Sequence, residues 1–312
     1  MATRTRKASL DVEGRTVEVS NLDKIYYPKA RFSKGQMIDY YVKIAPVLLP
    51  HLKSRAVTLK RYPDGVEGEF FYEKQRPSHA PKWIKTTRVK KKDGEVINYC
   101  LINDLPSLVW AANIGNLELH TFTHQSSAPQ TPTALMFDLD PGPPANIIQC
   151  GEVAMLIRDF FQTLGMQSFV KTSGSKGLQL VVPLNSRVHY DRTKPFAHAL
   201  AESLAKRFPD KIVSNMKKSL RGGKVFIDWS QNDDKKTTVC VYSLRAKEMP
   251  SVSTPITWGE LEKTVKSGKA HGLSFSPDQV LKRIARHGDL FEEVLTLKQP
   301  LPRVSTLTSS AD

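Results

Sequence analysis

The stretch TALMFDLDPG, residues 133–142, sets the reading of the whole chain. Apolar Ala134, Leu135, Met136 and Phe137 lead directly into Asp138 and Asp140, the pattern of a strand that runs from a core to an edge. Strand side chains alternate faces with period two, so the two carboxylates project together. Side by side they repel, and a hard, oxygen-seeking cation such as Mg²⁺ or Mn²⁺ would relieve the repulsion. Pro141-Gly142 ends the strand and puts the pair at an open rim. A solvated, Asp-rich strand end has the same sequence, so this stretch alone leaves metal binding and plain exposure both open.

Around this strand, helical and extended patterns are mixed. Residues 151–164 repeat Val153, Leu156, Ile157, Phe160 and Leu164 along one helical face, with Gly165 as the stop. Strands are expected over 168–172, 178–184, 224–229 and 238–244, and a helix over 194–208. On the N-terminal side, Ser33 and Gln36 form a capping box for a helix over 34–49 that carries Met37, Tyr40, Tyr41, Ile44 and Leu48. Asp104 caps a short helix over 105–114, closed by Gly115. Strands are expected over 57–62, 69–73, 96–102 and 116–122, and two short helices over 258–265 and 276–286. The mixture predicts an α+β (mixed α/β) fold rather than a doubly wound sheet.

The 312 residues, 40% hydrophobic and 25% charged, exclude a disordered or collagenous chain. No apolar run approaches the roughly 18 to 20 residues of a membrane-spanning helix. The basic N-terminus has no apolar segment behind it, so a cytoplasmic protein is expected. Cys100, Cys150 and Cys240 have no ligand-like spacing and read as buried, reduced thiols. Lys and Arg outnumber Asp and Glu by 46 to 31, a net charge of +15 that points to a polyanion. The cations cluster at Lys82, Lys85, Arg88, Lys90, Lys91 and Lys92, and again at Lys217, Lys218, Arg221 and Lys224.

Five further motifs are candidates for chemistry. Asp228, in KVFIDWSQN, is one acid among apolar neighbours; it either pairs with Arg221 or Lys224 or joins Asp138 and Asp140 as a third ligand. The segment Lys171 to Gly177, KTSGSKG, joins two strands, either as a phosphate-cradling loop or as a plain hairpin turn. Lys91-Lys92-Asp93-Gly94 fits the KxDG of nucleotidyl-transferring ligases only formally; Asp-Gly before a strand is what a tight hairpin requires. His120 shares a polar face with Glu118, and Phe70, Phe71 and Tyr72 are either core or a platform for stacking bases.

In combination, FDLDPG, TSGSKGL, KVFIDWSQN and YSLRAKEMPSVSTPITW, in this order, resemble the polymerase domain of bacterial ligase D and stand-alone bacterial primase-polymerases, in the archaeo-eukaryotic primase superfamily. The likeness runs from about Asn21 to about Leu290. It implies a primase-like core of mixed β-sheets flanked by helices. It implies that Asp138, Asp140 and Asp228 are catalytic residues and ligands of two Mn²⁺ or Mg²⁺ ions, with NTP or dNTP as substrates. Lys60, Arg61, Phe71, Tyr72, His120, Ser173, Lys176, Gln179, Gln231 and Arg245 match nucleotide-binding positions, and Lys24, Lys34 and Arg221 match DNA-binding ones. Lys24 and Lys34 match the lysines that grip a 5′-phosphate. Gln179 stands where the family usually has histidine; it can donate a hydrogen bond but cannot become cationic.

The resulting expectation is a template-guided nucleotidyltransferase that adds NTPs, preferably ribonucleotides, to DNA 3′-ends. It would fill short gaps in end joining or excision repair, with 5′-phosphorylated gaps or ends as substrate and Ku and a DNA ligase as partners, and no membrane. The competing expectation is a non-catalytic module that binds 5′-phosphorylated gaps. Residues 1–20 are expected as an arm or edge strand, 21–292 as the catalytic domain and 293–312 as a polar tail.

Overall fold

The structure, a computed structural model, describes residues 7–91 and 93–309. Its contacts divide the chain into two compact units. The first comprises the chain up to Phe122 with Val239–Val252 and Ser276–Gly288; the second comprises Thr123–Thr238, Ser253–Phe275 and the chain from Asp289.

The first unit opens with a hairpin of β1 (Lys7–Val12) and β2 (Arg15–Ser20). Glu13 and Gly14 both have positive φ, the mirror-image turn that matches strand twist, and Val12, Val17 and Val19 are buried. Residues 7–20 are therefore a hairpin with one buried face; residues 1–6 of the expected arm lie outside the described residues. A short ribbon, β3 (Ile25–Tyr27) with β4 (Phe32–Ser33), leads into helix α1 (Lys34–Leu52), which starts at the expected capping box: Ser33 Oγ accepts from Gln36 N at 3.2 Å. A sheet follows from β5 (Ala56–Arg61), β6 (Phe71–Glu73), β7 (Thr86–Lys90), β8 (Val96–Leu101) and β9 (Asn116–Thr121). Its order runs β9-β5-β8-β7, with β6 beside β5. Helix α2 (Leu105–Asn113) precedes β9, capped by Asp104. Lys91 N donates to Glu95 O at 2.7 Å and Gly94 N to Lys91 O at 3.2 Å, closing the hairpin turn expected at Asp93-Gly94; Lys92 lies outside the described residues. Strand β7 alternates exposed Thr86, Arg88 and Lys90 along the sheet edge, where cations discourage edge-to-edge pairing.

The second unit is built on β10 (Ala134–Pro141), β11 (Phe169–Thr172), β12 (Leu178–Pro183), β13 (Ile212–Val213) and β14 (Val225–Asp228). The order is β13-β14-β10-β12-β11, with Pro255–Ile256 on the far edge. All neighbours are antiparallel except β13 and β14, so the sheet is mixed. Helices α3 (Ile147–Thr163) and α4 (Tyr190–Arg207) pack on it. Leu135, Phe137, Leu139, Leu178, Leu180, Val182 and Ile227 point into one core with Ile157, Phe161 and Phe196 of these helices. Helix α3 starts at Asn146, earlier than its apolar periodicity predicts, because the Asn146 side chain caps Ile148 N at 2.9 Å.

One further expectation is corrected. The strand expected over 238–244 is extended only at Thr238–Val239 and Leu244–Arg245, because Tyr242 takes a left-handed φ of 64°. Its carbonyl accepts the Tyr40 hydroxyl at 2.8 Å. The polar tail is docked on its unit: buried Gln299 bonds Gln167 on both backbone groups and Pro183 O, and Leu307 joins the core. Helix α5 (Trp258–Ser267) and α6 (Pro277–His287) stand close to where they are expected. No helix among the described residues is long and apolar enough to cross a membrane.

Candidate active site

In the second unit, the register of the sheet lines up four polar side chains. Lys171 on β11 is the partner of Gln179 on β12, Gln179 of Asp138 on β10, and Asp138 of Asp228 on β14. Directly opposed residues share a face with Cβ atoms about 4.5–5.5 Å apart, so Asp138 and Asp228 are immediate neighbours although they are distant in sequence. Asp140 is two residues along β10 on the same face. Desolvation, then the charges of Asp140 and Asp228, push the Asp138 carboxyl up to about 7, against the hydrogen bond from Gln179 and the charge of Lys171. Desolvation and Asp228 raise Asp140, while Arg221 opposes them.

This donor set fits a divalent cation: it is all oxygen, it carries excess negative charge, and its mutual repulsion is what a cation would remove. Among the described residues no three His, Cys, Asp or Glu side chains already converge as a metal-holding group. Asp228 shows why. Its Oδ1 accepts from Ser230 N at 3.0 Å and from the Ser230 hydroxyl, and its Oδ2 accepts from Gln231 Nε2 at 2.9 Å. Gln231 is thus held at the third aspartate.

Two glycines pin loops around these acids by close approach. A Cβ on Gly177 would lie 2.0 Å from Leu139 O, and one on Gly142 would lie 1.9 Å from Arg221 O. The first contact holds the 173–177 loop on β10 between the two aspartates. The second brings Arg221, stacked 3.8 Å over Phe226, to the Asp140 end. In that loop Ser173 Oγ is buried and accepts from Ser175 N at 3.2 Å and Gly177 N at 3.3 Å, whereas Lys176 is exposed. Ser173 therefore shapes the turn and Lys176 supplies its free charge. Gln179 is also buried, with Oε1 accepting from Lys171 and Nε2 donating to Thr238 Oγ1 at 2.9 Å.

In the first unit, a second polar row crosses the sheet: Tyr72 on β6, Lys60 on β5 and Glu118 on β9 are register partners. Buried Glu118 gathers the neighbouring charges. Lys60 Nζ lies 3.4 Å from it, His120 Nε2 2.9 Å and Arg245 Nε 3.3 Å, and Ala246 N donates at 2.9 Å. Burial alone would raise the Glu118 carboxyl, but the His120 hydrogen bond and the Arg245 charge hold it well below the usual range. Desolvation lowers His120, and Glu118 offsets part of the loss. Lys60 Nζ also faces the rings of Tyr62, Phe70 and Tyr72 at 5.2, 4.6 and 5.5 Å. Phe70, Phe71 and Tyr72 are 51%, 43% and 54% exposed, which decides against the core reading.

A separate cavity of about 240 Å³ in this unit is lined by Ser20, Asn21, Lys24, Tyr26, Lys34 and Arg61, among others. Lys34 Nζ donates to Ser20 O at 2.6 Å and Lys24 Nζ to Pro63 O at 2.7 Å, with Asp64 beside Lys24. Burial, then the charge of Lys24, lowers the Lys34 amine to about 8. Arg61, expected at the nucleotide, lines this cavity and is tied to Glu73 at 2.5 Å and Ile114 O at 2.8 Å. Sequence reasoning missed Glu118 as the hub of its cluster, Lys171, and Asn21, which lines the cavity and has a φ of 53°. Glu118 was visible beside His120 at period two; Lys171 had no signal beyond its place in a loop motif.

Comparison with known proteins places this α+β fold among polymerase domains. Residues 33–291 match the family described as LigD, primase-polymerase domain. The multifunctional non-homologous end joining DNA repair protein LigD of Mycobacterium tuberculosis is 40% identical over 286 residues, 89% of this chain and 37% of that protein. The bifunctional non-homologous end joining protein LigD of Bacillus subtilis is 30% identical over 273 residues, 87% of this chain and 43% of that protein. Among solved structures, the polymerase domain of Mycobacterium tuberculosis ligase D in complex with DNA superposes with a TM-score of 0.83 at 37% identity, covering 91% of this chain and 99% of that one. The chain belongs to the LigD primase-polymerase domain family. It spans less than half the length of these two full-length relatives.

Proposed function

We propose that the chain is a template-guided polymerase that adds nucleotides, preferably ribonucleotides, to a DNA 3′-end and fills short gaps beside a 5′-phosphate in end joining. The observation that carries the reading is the Asp138–Asp228 cross-strand pair with Asp140 on the same face.

Asp138, Asp140 and Asp228 would hold two Mg²⁺ or Mn²⁺ ions. When bound, such ions supply charge neutralisation for the triphosphate and a more acidic 3′-hydroxyl. The chain's own residues do the rest. Gln231 holds one Asp228 oxygen and Ser230 the other, fixing the plane of that carboxylate. Lys176 offers an exposed cation to the triphosphate, on a loop whose shape Ser173 fixes. Arg221 places charge beside Asp140 and is assigned to DNA.

Lys60, His120 and Arg245 are assigned to the incoming nucleotide. Around Glu118, two cations face one carboxylate, so the cluster keeps positive charge for an anion. Phe71 and Tyr72 are assigned to base stacking, which tolerates any sequence. Lys24 and Lys34 are assigned to the 5′-phosphate, with Asn21 and Arg61 beside them. The end-joining names of the relatives support Ku and a DNA ligase as partners.

Primer extension on a gapped duplex with Mn²⁺ and NTPs tests the proposal. Asp138→Ala and Asp228→Ala should each abolish extension and leave the fold intact. Gap binding without extension by the unaltered protein would establish the non-catalytic alternative instead.

A further inference from the structure

The second unit buries an ammonium group that the reaction scheme above does not use. Lys171 is 2% exposed, and its Nζ donates to Gln179 Oε1 and to Ser253 Oγ at 2.7 Å. Ser253 is itself fully buried and donates to Thr172 O at 3.0 Å, so the acceptor beside Lys171 is fixed to the backbone of β11. An isolated buried ammonium costs several kcal/mol or more. Here it lies at one end of a register row whose other end is a pair of carboxylates.

The row also fixes the amide between them. Either end of a glutamine amide fits a similar space, and the hydrogen-bond network decides which end points where. A cation can only donate, so the Gln179 oxygen must face Lys171. The Gln179 NH₂ is thereby turned the other way, toward Thr238 Oγ1 at 2.9 Å and toward the Asp138 carboxylate.

From the row Lys171–Gln179–Asp138 we infer that Lys171 is a resident counter-cation that orients the Gln179 amide and, through it, positions Asp138 for the polymerase reaction. Gln179 then serves the carboxylate rather than a phosphate. Lys171 acts through another residue and is a positioning residue. The inference rests on the reading of Asp138 as a catalytic ligand.

The test compares Lys171→Met, Gln179→Leu and the double variant in single-nucleotide extension with Mn²⁺, alongside Asp138→Asn. Outer residues that orient metal ligands typically contribute about 10- to 100-fold in activity. Each single variant should lose about that factor in kcat, with the nucleotide KM within about two-fold of the unaltered protein and binding to a 5′-phosphorylated gap unchanged. Because both act along one path, the double variant should be no worse than the weaker single. Lys171→Met takes the donor from Gln179 Oε1 and Ser253 Oγ, so a lower melting temperature is expected with it and stability does not decide the question. A purely structural role would lower kcat, raise the nucleotide KM and weaken gap binding together, and this result would overturn the inference.

Unaltered kcat in Lys171→Met, multiplicative losses in the double variant, or a Gln179→Leu defect confined to KM would each overturn it as well. If Lys171→Met does not fold, Gln179→Leu carries the kcat-against-KM test by itself. Full extension by Asp138→Asn would instead refute the site assignment beneath the inference, so the two failures are distinguishable.

Discussion

Asp138 on β10 sits directly across from Asp228 on β14, the last register pair before β14 turns away at Trp229. Asn232, completely buried, extends the ladder beyond that pair: its side chain accepts from Met136 N at 2.9 Å and donates to Met136 O at 2.7 Å. The amide replaces the backbone of the next strand residue, so the turn carrying Ser230 and Gln231 is held beside β10. Two carboxylates are thereby kept together in spite of their repulsion, as a site that binds cations requires.

Replacing Asp138 by Asn should therefore separate activity from stability. Extension is expected to fall by at least about 10³-fold, while the cation-free protein melts a few degrees higher because one like charge has left an enclosed cluster. Extension assays and thermal melts in EDTA check the two signs. A lower melting temperature would show that the carboxylates do not repel in the folded chain.

The cavity proposed for the 5′-phosphate should respond to pH through Lys34. Its amine is lowered to about 8, so the folded chain binds fewer protons than the unfolded one between about 8 and the ordinary lysine value of 10.5. Stability from this group is least below pH 8 and rises through that window. Phosphate affinity runs the other way, because the charged amine is the one that binds. Preference for a 5′-phosphorylated over a 5′-hydroxyl gap should be greatest below pH 8 and decline above it. Fluorescence anisotropy on paired gaps measures this, and Lys34→Ala or Lys24→Ala should each reduce the preference about ten-fold or more.

Glu118 balances Lys60 and Arg245, and Glu118→Gln would leave both cations facing a neutral amide. The expected cost is about 2–4 kcal/mol by denaturant titration, the range for disrupting a buried charged network. A variant as stable as the unaltered chain would mean that the cations relax to solvent.

Gly177→Ala should be damaging although the residue does not have a positive φ. Its Cβ would meet Leu139 O at 2.0 Å, so the 173–177 loop must lift from β10. A large loss of extension with a rise in nucleotide KM is expected, measured by steady-state kinetics. Gly94→Ala, with nothing within 4 Å of its Cβ but a φ of 91°, should cost only backbone strain and leave extension intact.

Phe71 is exposed, so Phe71→Ala should change stability by less than about 1 kcal/mol. Loss of one stacked base is worth about 1–3 kcal/mol of nucleic-acid affinity, which gap-binding titrations would detect.

Much of this protein is local and was readable from its residues. Capping boxes at Ser33 and Asp104 start helices where the side chain itself satisfies the first N–H groups. Period two puts Asp138 and Asp140 on one face whatever the strand pairs with. Boundaries were missed where a cap outside the apolar pattern decided them, as at Asn146, and where Tyr242 adopted a backbone conformation that nothing in its neighbours announces.

The sequence by itself determined the elements, their apolar faces, the excess of cations and the order of motifs that mark the family. Tertiary structure alone decided that β14 lies beside β10 with Asp228 opposite Asp138, that buried Lys171 ends the same row, and that Glu118 gathers Lys60, His120 and Arg245. Helix and strand periodicity depends on bonds between near neighbours in the chain. Register between distant strands depends on which faces bury together, and a shift by one residue would have turned every one of these polar groups to the other side.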